Sequence, residues 1–200
     1  MKCREIIKIL IEVLIIAIIS YLINLIPFVS NVLNMFIPKV NNVVYTFIGL
    51  ISVYMLGKNI IKYQKISFII SIISYIILII LTLFVRTKYE NYMYKDGLYL
   101  LEWFKNIFNN KVIFINIIGN LVLFIPMGIM IIIKKISKIS IDILLGILII
   151  ICLELVQFFT KRGVFDLGDI VLNSIGLVIG VAVYIVRREV FHGRKQEKRS

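Results

Sequence analysis

Long apolar runs, separated by short charged segments, are the feature that most limits what this chain can become. A transmembrane helix needs about 20 mostly apolar residues, because it rises about 1.5 Å per residue across a hydrocarbon layer about 30 Å thick. Six stretches meet that need: residues 9–28, 43–61, 66–85, 112–133, 141–159 and 169–186. Of the 200 residues, 60% are hydrophobic and 17% charged, and mean hydropathy is +1.00. A soluble domain is about 45–50% apolar and about 25% charged, and a soluble fold of this size lacks the interior to hide so much apolar surface. The composition excludes a soluble enzyme, a disulfide-stapled secreted domain and a disordered chain. It predicts an all-α, polytopic transmembrane bundle of about six spans.

The second stretch is the weakest, since Lys58 and Asn59 crowd its end. In a five-span alternative it lies at the interface. Lys2 and Arg4 precede the first run as in a signal peptide, but no small-residue cleavage site follows before Pro27. That run is therefore read as an uncleaved span. Cys3 and Cys152 have no metal-ligand spacing, and Cys152 is expected to be a small buried hydrophobe. His192, the one histidine, sits in a charged tail.

A net charge of +12 suggests nucleic acid, but the cations lie between the apolar runs, where a membrane surface explains them better. With the N-terminus inside, fifteen Lys and Arg fall on the cytoplasmic side and eight outside. This bias predicts both termini in the cytoplasm. The exception is the basic outer loop 86–111. It carries Tyr89, Tyr92, Tyr94 and Tyr99, and its Leu98, Leu101, Trp103, Phe104, Ile107 and Phe108 predict an interfacial amphipathic helix between spans three and four. That helix serves as an anchor or as a lid. Residues 187–200 are expected to be a disordered basic cytoplasmic tail.

An acid at the centre of a membrane helix costs about 2.5–3.5 kcal/mol on insertion scales. The first three spans carry few polar groups, Glu12 and Asn24 among them. The last three carry a concentrated set. Asn116 and Asn120 are one turn apart, with Pro126 and Gly128 following. Glu154 and Gln157 share a face of the fifth span. Asp166, Asp169, Asn173, Gly176 and Gly180 form one stripe along the sixth, with Arg162 in the turn before it. The glycine end is suited to close helix packing, within the chain or in a homodimer. The Asp/Asn end would then face the bundle interior. These residues either hold helices together or line a polar pocket near the outer surface.

The segment from Asn116 to Gly128 resembles the N-x-x-G-N-x-x-L-F-x-P-x-G signature of the VanZ-like family. Glu154 and Gln157, followed by Arg162, Asp166, Asp169, Asn173 and Gly176, are similar to its second block. Arg162 stands four residues before Asp166 where the family has about three, and Gly163 is expected to absorb the extra step. Leu83, Phe84 and Arg86 resemble the family's Leu-Phe-Arg element, while the Asn-x-x-Pro-Phe of its outer loop is missing. The resemblance covers roughly residues 75–186. It divides the chain into an N-terminal two-span extension (1–65), a VanZ-like membrane domain (66–186) and the basic tail (187–200). It implies a bacterial cell-envelope protein of the type associated with glycopeptide (teicoplanin) resistance, and it supplies no reaction.

Two functions fit. In the first, an outward-facing pocket binds a lipid headgroup or lipid-linked wall precursor, with Arg162 taking phosphate and Asn116, Asn120 and Gln157 taking hydroxyls or amides. No cofactor and no nucleic acid are expected. In the second, Glu154, Asp166 and Asp169 hold Mg²⁺ or Mn²⁺ for an intramembrane enzyme acting on a lipid. A proton relay through Glu12 and Glu154 is third, and no inverted repeat supports it.

Overall fold

The computed structural model describes residues 3–36, 40–85, 94–95, 110–134 and 138–197. The order is α1 (Cys3–Asn24), α2 (Pro27–Phe36), α3 (Asn42–Ile61), α4 (Lys65–Phe84), β1 (Tyr94–Lys95), α5 (Lys111–Lys134), α6 (Ile139–Phe159), β2 (Phe165–Asp166) and α7 (Leu167–Glu197). Among the described residues, six helices are long and apolar enough to cross a membrane. The chain divides into two compact units, Met1–Thr87 and Lys88–Ser200.

In the first unit, Pro27 ends the first span early. Proline lacks an amide hydrogen but suits a helix's first position, so the chain stops at Asn24 and restarts as α2. The 9–28 stretch is thus divided, its last two residues belonging to this short second helix. Asn42 Nδ2 ties α3 back to it, donating to the Ser30 carbonyl at 3.3 Å and to Asn34 Oδ1 at 2.9 Å. Asn41 caps α3, accepting from the amides of Val43 and Val44 at 3.0 and 3.3 Å.

The polar residues at the end of α3 have specific partners. Lys58 Nζ lies 2.7 Å from Glu12 Oε2 of α1. Asn59 donates to the Met55 carbonyl at 2.7 Å and accepts from the Gln64 amide at 2.9 Å, holding the turn into α4. Satisfied in this way, they remove the reason for making the second span interfacial. Asn24 bonds Thr46 at 2.9 Å, and the hydroxyls of Tyr45 and Thr82 are 2.8 Å apart. The scattered polar groups of these spans thus join helices to one another.

The second unit is built on three helices with an inverted surface. Apolar side chains such as Leu144, Leu148, Ile149, Leu155, Val171 and Val178 face outward. The buried face of α6 is one stripe: Asp142, Gly146, Ile150, Glu154 and Gln157. Lipid is as apolar as a leucine side chain, so the polar positions turn inward. Cys152 lies exposed on α6 rather than buried, because a small apolar group gains little from leaving lipid.

The closest approach is between α5 and α7. A Cβ on Gly176 would collide with the Leu121 carbonyl oxygen, one on Gly180 with that of Ile125, and one on Gly128 with that of Leu177. From Leu121 against Gly176 to Ile125 against Gly180 the residue numbers rise together, so the two helices run parallel. Helix α5 continues through Pro126 without a break. Helix α7 remains helical to Glu197, where composition predicted a disordered tail. Arg, Lys, Glu and Gln are good helix formers and extend a helix that the span has already nucleated. The expected interfacial helix of loop 86–111 lies outside the described residues, apart from Tyr94–Lys95. That pair forms a parallel ladder with β2, Tyr94 opposite Phe165 and Lys95 opposite Asp166.

Candidate polar site at one end of the last three helices

The site begins where α6 ends. Thr160 closes that helix, and Lys161 adopts the left-handed conformation at φ 55°. The Lys161 amide donates to the Phe158 carbonyl at 3.0 Å, and the Arg162 amide to that of Gln157 at 2.9 Å. These two bonds are a Schellman cap, a motif in which glycine usually takes the left-handed position. The chain therefore reverses at Lys161 and not at Gly163. Gly163 has another role: a Cβ there would lie 2.9 Å from Gln157 Oε1, so the turn packs directly on that amide.

Asp166 caps α7. Its Oδ1 accepts from the amide of Gly168 at 2.8 Å and from that of Asp169 at 3.4 Å. This is ordinary N-cap geometry, which also places Asp169 in the first turn, where the helix dipole favours a negative charge. Sequence reading took D-x-x-D as a cation-sharing pair. The same spacing is that of an N-cap and the third helical position, a signal that could have assigned the cap.

Asn120 of α5 donates to Asp169 Oδ1 of α7 at 2.5 Å. Gln157 donates to Glu154 Oε1 at 3.3 Å along α6. Glu154, Gln157, Asp166 and Asn173 are each at least 96% buried, while Asn116, Asn120, Arg162 and Asp169 are half-buried. Asn116 lies one turn before Asn120 on the same face of α5. Asn173 lies one turn past Asp169 on α7, and its Oδ1 is buried with no hydrogen-bond partner among the described residues. Gly176 and Gly180 continue that stripe onto α5 of the same chain, which fills the face a homodimer through these glycines would use.

The proposed Mg²⁺ or Mn²⁺ set does not assemble. Among the described residues no three His, Cys, Asp or Glu converge so as to hold a metal. The reason is local: Asp166 turns back on backbone amides, Asp169 reaches across to α5, and Glu154 bonds within α6. Glu12, the other acid of the expected relay, is paired with Lys58.

Sequence reading passed over Asp142. It is 99% buried on the inward stripe of α6, and neither carboxylate oxygen has a hydrogen-bond partner among the described residues. It stands one turn before Gly146 and about 18 Å along the helix from Glu154, at about 1.5 Å per residue. An acid at i, i+4 from an inward glycine was the available signal.

Fold and site together define a multi-pass membrane protein whose last three spans bury a polar cluster at one end. The chain belongs to the VanZ/LLP1 family, whose model matches residues 68–188, more than half the sequence. No curated protein and no solved structure matches it.

Proposed function

We propose that the cluster at the end of α5, α6 and α7 is an outward-facing binding site for a lipid headgroup or a lipid-linked wall precursor in a bacterial envelope. The observation that carries this reading is the gathering of Asn120, Glu154, Gln157, Asp166, Asp169 and Asn173 at one level, inside helices whose outer faces are apolar. Interhelical hydrogen bonds in membranes contribute only about 0.6 kcal/mol each. That is small beside the cost of placing three carboxylates there, so packing alone is a weak reason to keep them.

Arg162, in the turn beside Gln157, takes the phosphate through charge-assisted hydrogen bonds. Asn116, next along the face of α5, takes a hydroxyl or amide of the ligand. The backbone ladder between β1 and β2 brings Tyr94 and Lys95 against the strand that holds Asp166. With a precursor held this way, its presentation changes and a glycopeptide reaches it less well.

The test is retention of labelled envelope lipids by purified protein, compared with Arg162→Ala combined with Asn120→Ala. The expected result is at least about a tenfold loss, the scale of one charge-assisted hydrogen bond. Equal retention by parent and variant sinks the reading.

A further inference from the structure

We infer that the ligand of this site is a membrane lipid whose headgroup presents a primary ammonium beside its phosphate; this rests on the binding role proposed above and specifies its chemistry.

The argument is a tally of donors and acceptors. Two of the amides each give an N–H to an acid: Asn120 to Asp169, and Gln157 to Glu154. Asp166 receives two backbone amides on Oδ1. Asn173 then stands out. It is 98% buried, one turn below Asp169 on the same face, and the polar atom it buries without a partner is the acceptor Oδ1. A buried acceptor is satisfied only by a donor, and among the described residues none reaches Asn173 Oδ1.

The charge pattern agrees. Three carboxylates, Glu154, Asp166 and Asp169, belong to the cluster, and Lys161 and Arg162 stand in the turn between α6 and β2. A bare phosphate brought to Asn173 Oδ1 offers it no donor and adds negative charge beside the acids. A headgroup with a primary ammonium inward and a phosphate outward meets a complement at each end. The ammonium offers N–H donors to Asn173 Oδ1 and the acids, and the phosphate stays with the cationic turn.

The experiment uses the full chain in detergent and native mass spectrometry. The probes are phosphatidylethanolamine, its N-acetylated derivative, phosphatidylglycerol and water-soluble glycerophosphoethanolamine. Phosphatidylethanolamine is expected to be retained about tenfold over the two lipids without an ammonium, by one lost charge-assisted contact. Asn173→Leu abolishes that preference, and Asn173→Asp, which keeps shape and acceptors, preserves it even where the leucine variant folds poorly. If phosphatidylglycerol is retained equally and released by Arg162→Ala, the ammonium is wrong while the headgroup site stands. Should no lipid exceed the background of the Arg162→Ala, Asn120→Ala protein, both readings fall. Full competition by glycerophosphoethanolamine at lipid-like concentrations overturns the membrane source and leaves a soluble amine.

Discussion

At the scale of single residues, the site depends on one backbone choice. Lys161 holds a left-handed conformation that costs an L-residue about 1–2 kcal/mol, and its Schellman cap sets the direction of the turn carrying Arg162. A β-branched side chain at that φ is worse still. Lys161→Val is expected to lower unfolding stability in detergent by about 1–2 kcal/mol, while Lys161→Gly causes no loss. Thermal unfolding followed by circular dichroism checks this, and a valine variant as stable as the parent refutes the cap. Sequence spacing had drawn attention to Gly163 as the place where an extra residue is absorbed. What it could not supply was the dihedral at Lys161, because lysine gives no sign of a left-handed position. The packing of Gly163 on Gln157 is likewise a contact between segments and invisible in either one alone.

At the scale of elements, glycines with similar surroundings in sequence differ sharply in space. Gly180 of α7 rests against the Ile125 carbonyl of α5, with Gly128 beside it, whereas Gly119 of α5 has nothing within 4 Å of where a Cβ would stand. Gly180→Ala therefore forces two backbones apart and is expected to cost about 1–3 kcal/mol, the range of overpacked cores. Gly119→Ala only gains helix propensity and is expected to stabilise by about 0.5–1 kcal/mol. Opposite shifts in melting temperature are the check; a shift of the same sign in both would show that α5 and α7 do not meet where described. The stripe from Asp166 to Gly180 could be read from helical periodicity. That α5, and not α6 or a second chain, fills its glycine end could not, because periodicity fixes a face and not its neighbour.

For the whole molecule, six helices are long and apolar enough to cross a membrane, and the excess of Lys and Arg in segments 1–8, 58–65, 134–138 and 187–200 predicts that both termini lie in the cytoplasm. Reporter fusions at each terminus should both be active inside, and a reporter placed in loop 86–111 only outside. A cytoplasmic signal from that loop would invert the topology and carry the proposed site to the wrong face. The family match, 68–188, takes in α4 from Phe68 onward and the second unit as far as Arg188, two residues into the basic extension. It leaves α1, α2 and α3 outside, which agrees with the absence of any family motif in the first two spans.

Hydropathy and length gave the number of candidate spans and their approximate positions, though not the stop at Asn24, because insertion into lipid is decided segment by segment through the burial of apolar side chains and the satisfaction of each helix's own backbone. Tertiary structure alone decided that Asn120 meets Asp169, that Asp166 turns back to cap its own helix and that the three acids share no metal position. Those outcomes depend on how far each helix is rotated and slid against its neighbours. In lipid that is set by where glycines allow backbones to touch, a property of pairs of segments that no single segment encodes.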